Sequence, residues 1–370
     1  MPSNKKLLQA AAGSAGDSLY VEDVFSTYLY TGTGATQAIT NGIDLDGEGG
    51  LVWLKDRGSA ENHVLTDSEY GLPNDYYLIS NLTGFNYNGP VFTSWDSAGF
   101  TLNSNWYGNQ SARDFASWSF RKAEKFFDVV TYTGTGSATT FAHALGSVPA
   151  MIIVKRTDVA ADWQVYHKNL TSNAYKLVLN TTAAQVSDST AWNSTTPTDA
   201  VFSVGTNATV NASSGTYVAY LFASDAGGYG DDGTENIIKC GGVTSSSGSL
   251  IDVTGLGFEP QWVLIKNSAF GGWTMFDTMR GMANGGSNTV TAAQGLFPNT
   301  SAFESAAVCW PNPDGFFING GYISGSNASA DFIYMAIRRP MKTPESGTEV
   351  FAIDTPSGTT AGEILTSGFV

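Results

Sequence analysis

One motif recurs along this 370-residue chain at a spacing too long for a local turn and too regular for accident. YTGTG stands at 30–34 and again at 132–136, so Tyr30 and Tyr132 lie 132 − 30 = 102 positions apart. Downstream, LVWLKDR (51–57) matches MIIVKRT (151–157), which pairs Lys55 with Lys155. A third copy, GLGFEPQWVLIKN (255–267), places Lys266 at the same point. Each apolar run ending in lysine is followed by a second, shorter one: NHVLTD (62–67), DWQVYH (162–167) and GWTMFD (272–277). Gly-aromatic starts come next, SAGFTL (97–102) and PDGFFI (313–318), with the degenerate VFSVG (201–205) in the middle copy. The copies close on FASWSFRKA (115–123), YVAYLFASD (217–225) and FIYMAIRRP (332–340). Self-similarity over about 100 residues marks a tandem array. The spacing predicts modules at 24–123, 126–225 and 236–340. An N-terminal anchor segment, 1–23, precedes them, and 341–370 follows as a linker or the start of a further module.

Within a unit the apolar segments run about five to eight residues and are rich in Val, Ile, Phe, Tyr and Trp. Gly, Asn, Ser or Pro separates them roughly every ten residues, the rhythm of antiparallel strands in packed sheets. The expected fold is all-β, a tandem array of three antiparallel β-sandwich (jelly-roll-like) modules. Only LLQAAAGSA, near the start, carries a helical pattern. Short joints at 123–126 and 227–235 point to a stiff, elongated arm. The glycines of YTGTG raise a rival reading, a phosphate-cradling loop, which needs a helix opening directly after them. Here SATTF and MIIVK follow, both β-prone, and no Gly-Lys-Ser/Thr triplet occurs. Gly134 and Gly136 are expected instead to supply positive φ in a hairpin between the first two strands of the module.

A formal net charge of −15 repels phosphate backbones, which argues against nucleic-acid partners. No run approaches the roughly 18 apolar residues that span a bilayer, so no membrane insertion is expected. Lys5, Lys6, Leu7 and Leu8 resemble a signal peptide only faintly, the apolar stretch being too short. Two cysteines, Cys240 and Cys309, cannot build a disulfide scaffold or a Cys-based zinc site. Both are expected to be unpaired, because a reducing cytoplasm does not favour a bridge. Asn81-Leu82-Thr83 and Asn180-Thr181-Thr182 then read as accidents of an Asn/Thr-rich composition.

Catalytic signals are weak. The three histidines, His63, His143 and His167, form no evident triad, and the G-x-S-x-G elbow is missing. Asp67, Asp96, Asp231, Asp232, Asp277 and Asp314 fall where turns are expected, which explains them without a paired-carboxylate site. The acidic run DLDGEGG (44–50) puts Asp44, Asp46 and Glu48 around glycine, a spacing compatible with calcium. Only this copy has them, so a solvated acidic turn is the competing reading. In NSNWYGNQ (103–110), Trp106 and Tyr107 sit between polar residues in an expected loop, where a ring face could stack on a sugar.

The unit TYTGTG, then LGF/V-x-P-x-x-V-x-I-K, a W-x-x-F-D strand and a GF strand resembles repeats of structural proteins of tailed bacteriophages. Marine cyanophage proteins of the tail-fibre type are the nearest in kind. GLGFEPQWVLIKNSAFGGWTMFDTMRG (255–281) carries the resemblance best, and it extends over about 24–340. The resemblance implies a non-enzymatic virion protein of the tail, with residues 1–23 anchored on other tail proteins. It also implies homo-oligomers, usually trimers, and host attachment through a surface glycan. No cofactor follows, calcium at Asp44, Asp46 and Glu48 excepted. Alternatives are a capsid decoration protein and a glycan-degrading depolymerase. Val350-Phe351-Ala352-Ile353 and Thr366-Ser367-Gly368-Phe369-Val370 read as the opening of a fourth module, so a longer product is expected.

Overall fold

The structure is a computed structural model and describes residues 18–72, 74–245, 250–282, 293–319 and 330–341. The anchor residues 1–17, the LLQAAAGSA pattern, and the strands expected in 342–370 lie outside the described residues.

The chain is all-β and antiparallel, with a few single helical turns. The first copy holds β1 (Phe25–Thr31), β2 (Gln37–Thr40), β3 (Gly50–Asp56), β4 (Val64–Asp67), β5 (Tyr76–Ile79), β6 (Tyr87–Asn88), β7 (Phe92–Asp96), β8 (Gly99–Leu102) and β9 (Asp114–Arg121). The second holds β10 (Phe127–Thr133), β11 (Thr139–Ala142), β12 (Met151–Arg156), β13 (Gln164–His167), β14 (Tyr175–Val178), β15 (Val186–Ser187), β16 (Val201–Val204) and β17 (Thr216–Phe222). The third holds β18 (Ile238–Ser245), β19 (Leu250–Val253), β20 (Pro260–Asn267), β21 (Trp273–Asp277), β22 (Ala293–Gly295), β23 (Ser305–Ala307), β24 (Cys309–Asn312), β25 (Gly315–Asn319) and β26 (Ala330–Arg338).

Strand order repeats from copy to copy. The large sheets run β1-β9-β3-β4-β5-β6, β10-β17-β12-β13-β14-β15 and β18-β26-β20-β21. The small sheets run β2-β8-β7, β11-β16 and β19-β25-β24. In each large sheet the last strand lies between the first strand and the lysine strand. Lys55, Lys155 and Lys266 accordingly face Ala116, Val218 and Ile333, at matching points.

Each large sheet is covered on both faces. Along β3, Val52 and Leu54 point into a core shared with the small sheet, while Leu51 and Trp53 point the other way. On β20, Val263 and Ile265 face the small sheet, and Trp262 and Leu264 face away from it. The outward residues of all three copies meet in one central core. There the Phe120 ring lies 5.7 Å from Phe222 and 5.8 Å from Trp262, so a single side chain touches all three sandwiches. This differs from the expected elongated arm. Near-continuous apolar strands, buried at every position of β3 and β20, need a partner on each face, and an isolated sandwich offers one. The joints are buried for the same reason: Phe126 and Tyr229 are core residues, and the Tyr229 hydroxyl donates to the Glu124 carbonyl at 2.9 Å.

YTGTG is not a hairpin. β10 pairs with β17 and β11 with β16, so residues 134–138 pass from the large sheet to the small one. The two glycines have different tasks. A Cβ on Gly134 would lie 2.3 Å from the Ala212 carbonyl oxygen, whereas Gly136 has φ +74°. The first copy repeats both, with Gly32 against the Gln110 carbonyl and Gly34 at φ +72°. The loops are held by buried Asn109 and Asn211, whose Oδ1 atoms accept from Thr33 and Thr135 N–H at 2.8 and 2.7 Å. Cys240 and Cys309 are free and buried, as expected.

Candidate functional site

The polar chemistry of the chain is concentrated where one sandwich meets the next. Asn81, Asn180 and Asn299 accept through Oδ1 from the backbone N–H of His63, Trp163 and Trp273, at 3.1, 2.9 and 2.8 Å. The segments they fix reach the neighbouring sandwich. Trp163 Nε1 donates to the Ile79 carbonyl at 3.0 Å, joining the second sandwich to the first. Trp273 Nε1 donates to the Val178 carbonyl at 3.0 Å, joining the third to the second. Ser80 Oγ donates to the Pro298 carbonyl at 2.7 Å, joining the first to the third. The three sandwiches thus form a closed ring. The N-x-Ser/Thr triplets at 81 and 180 are structural loops and not accidents of composition, and Asn299-Thr300-Ser301 completes the set. Their recurrence was the signal that sequence reading missed.

A second set lies at the ends of β4, β13 and β21. Asp67 Oδ1 accepts from Glu69 and Tyr70 N–H at 2.9 and 2.6 Å, while Oδ2 accepts from the Tyr220 hydroxyl at 2.8 Å. Asp277 divides its oxygens likewise. Oδ1 takes Arg280 N–H at 2.9 Å, and Oδ2 takes Trp118 Nε1 at 3.0 Å and Arg280 Nε at 2.6 Å. His167 occupies the third position. Its Nδ1 accepts from Asn169 N–H at 3.1 Å, which leaves Nε2 protonated to donate to the Tyr334 carbonyl at 3.1 Å. In each case the near atom holds the local turn and the far atom holds the next sandwich. Asp67 and Asp277 are therefore buried bridging groups and more than turn formers. Burial raises the Asp67 carboxyl above its usual range and lowers His167 to about 4.

The repeated lysines are clamps. Lys55 Nζ donates to the Asp56 and Ser59 carbonyls at 2.6 and 3.1 Å. Lys266 donates to Asn267, Phe270 and Gly271 at 2.8, 3.2 and 2.6 Å. Lys155 also reaches the first sandwich, donating to the Thr83 carbonyl at 2.8 Å. Desolvation brings each ammonium down to about 8.

Two grooves open along these junctions. One, about 350 Å³, lies between the third and first sandwiches and is lined by Asp56, Arg57, Ser59, Arg113, Asp114 and Glu304. Arg57 grips Glu304 through two bonds of 2.7 and 3.1 Å, and Arg113 pairs with Asp56 at 3.0 Å. The other, about 550 Å³, lies between the first and second sandwiches and has Tyr70, Asn74, Tyr76, Thr131, Thr133 and Thr216 on its walls.

The residues singled out from sequence do not share one site. Trp106 opens a four-residue helix, Trp106–Asn109, capped by Asn105 Oδ1 on Gly108 N–H at 2.7 Å, where a loop was expected. Its ring is 53% exposed with the Arg113 guanidinium 5.0 Å away. Tyr107 turns inward instead, 5.6 Å from the Tyr77 ring. Asp44 Oδ1 accepts from Gly47 N–H at 2.8 Å, Glu48 pairs with Arg121 at 3.3 Å, and Asp46 is exposed. Among the described residues no three His, Cys, Asp or Glu side chains gather as metal ligands. His63 and His167 are buried, His143 is half-buried, and no helix among the described residues is long and apolar enough to cross a membrane.

A family profile described as a domain of unknown function, DUF7483, matches residues 21–336. The chain belongs to the DUF7483 family. That match runs through all three sandwiches as one unit, in keeping with a DUF7483 domain whose copies share a core. No curated protein matches the chain.

Proposed function

We propose that this DUF7483 chain is a non-enzymatic structural protein of a phage virion, associated with the tail and contributing to host attachment. What supports the reading is the use of its buried polar side chains. Asp67, His167, Asp277 and Lys155 each join one sandwich to another, the work of a rigid scaffold. The repeat resemblance to tail-fibre proteins points the same way. In this reading the segment before Leu19 engages other tail proteins, since Leu19 and Val21 pack into the chain's own central core; the chain assembles with copies of itself as trimers, and folding takes place in the host cytoplasm. The ring replaces the expected spacer arm, so reach along the tail must come from other components.

Antibody labelling of intact particles tests the proposal. Label on the tail is expected. Label spread over capsid faces would favour the decoration reading, and release of reducing sugar from host envelope polysaccharide by the purified chain would favour a depolymerase.

A further inference from the structure

We propose that the groove between the first and second sandwiches is a binding site for an uncharged saccharide. Its lining is neutral: three tyrosines besides Tyr132, four threonines and Asn74, with no acid, lysine or arginine. A phosphate, sulfate or uronate would find no counter-charge there, and the net charge of −15 repels anions further. A sugar needs what the groove has, an aromatic surface for its C–H face and hydroxyls for its own. Tyr70 and Tyr76 supply the first, stacked at 5.4 Å with 27° between their planes. Thr131 and Thr133 supply the second. They sit two apart on the edge strand β10, both exposed, and their hydroxyls make no hydrogen bond to a described residue. Thr216, the register partner of Thr133, lies beside them. The Tyr70 hydroxyl is buried against the Asn86 backbone N–H, which fixes the ring and leaves its face to the groove.

The junction of the third and first sandwiches is an internal control. There Asp114 stands in place of Thr216, paired with Thr31 in place of Thr133, and Leu29 stands in place of Thr131. The Arg57–Glu304 bridge then crosses the groove. One groove is occupied by its own ion pairs; the other is neutral and unoccupied by side-chain pairs across it. The saccharide site stands on this lining alone, while its use in host attachment rests on the reading above.

The test is titration calorimetry of the full chain with neutral oligosaccharides of glucose, galactose, mannose and N-acetylglucosamine, with sulfated and uronate-containing oligosaccharides as comparators. At least one neutral probe is expected to bind with an affinity insensitive to salt. Tyr76→Ala should weaken it about tenfold, the loss of roughly one stacked ring. Thr131→Glu should weaken it at least as much while leaving the melting temperature near the parent value. Trp106→Ala should bind as the parent does. Failure of every neutral probe, preference for an anionic one, or loss on Trp106→Ala with the groove variants unaffected would each overturn the site. A chain found on tails that binds no saccharide overturns the site alone; a saccharide-binding chain absent from particles overturns the virion reading alone.

Discussion

At the junction of the third and first sandwiches, the buried Asp277 carboxylate is shared by the Arg280 guanidinium and the Trp118 indole. At the junction of the first and second, Asp67 holds the same position but receives only the Tyr220 hydroxyl from its neighbour. The first acid is neutralised by a cation with no exposure on either partner; the second is buried opposite a neutral donor. The ring therefore does not require a particular pair at its joints. It requires a polar group at the end of the fourth strand that can satisfy its own turn and still reach across. His167 meets that requirement with no carboxylate at all.

The comparison breaks most readily at Asp277. Asp277→Ala leaves Arg280 charged and buried without its nearest acid, and a stranded buried ion costs about 3–5 kcal/mol. We expect urea denaturation to show a loss of about 4 kcal/mol. A loss below about 1 kcal/mol would mean that Glu304, 3.4 Å from Arg280, carries the charge instead.

His167 sets the next effect, and its sign is opposite to that of Asp67. The folded His167 titrates near 4 against an ordinary 6.5, so its contribution is complete above pH 6.5. As the pH falls from 6.5 to 4, the unfolded chain takes up a proton that the folded chain refuses, and stability drops by about 3 kcal/mol. His63, lowered further by burial, adds in the same direction. Asp67, raised by burial, binds its proton earlier in the folded state and offsets part of the loss. His167→Gln keeps a donor for the Tyr334 carbonyl and should flatten the stability profile between pH 6.5 and 4. An unchanged slope would remove His167 from the account.

The legible part of this architecture was whatever a single copy encodes locally. The lysine strands and the Gly-aromatic starts follow from runs of a few residues, and both lie where expected. Even the shared core was written in the continuous burial of LVWLKD and QWVLIK, since a strand with one wet face alternates. The ring was not legible because its bonds join residues far apart: Trp163 reaches Ile79, and Tyr220 reaches Asp67. No pattern within one copy specifies which copy its outer face will meet. Val243 takes the place of Tyr132 in the third copy, because β18 sets its register by pairing with β26 and has no YTGTG to mark it. The glycan candidates divided because a short helix turns Tyr107 inward and leaves Trp106 outside, a twist that residue types alone do not specify.

Tyr220→Phe sharpens the comparison from the other side. It removes the hydroxyl that supports the Asp67 carboxylate and changes little else, so the loss is that of one hydrogen bond to a buried acid, about 2 kcal/mol. The Asp67 carboxyl should then rise further, and the variant should recover part of its lost stability on acidification. NMR titration of the Asp67 carboxyl carbon would follow this directly. No upward movement would show that the turn amides of Glu69, Tyr70 and Gly71 support the charge by themselves.

The smallest effect expected lies at the rim, where the two junctions differ most in chemistry. Arg57 and Glu304 come from sandwiches 247 residues apart in sequence and make a two-pronged bridge, yet Arg57 keeps 26% of its side-chain surface in water. Partial exposure screens the pair, so a double-mutant cycle of Arg57→Ala and Glu304→Ala should return about 1 kcal/mol of coupling and not the several a fully buried pair would give. Raising the salt should reduce that coupling, because exposed charges are screened within about one Debye length. The Asp67–Tyr220 pair, buried at the joint between the first and second sandwiches, should give coupling that salt leaves alone. If both cycles respond to salt alike, the distinction between an exposed charged contact and a buried one has no energetic content. If only the first responds, the ring is closed between its first and last sandwiches by a contact that ionic strength can weaken, while the joint between the first and second is indifferent to it.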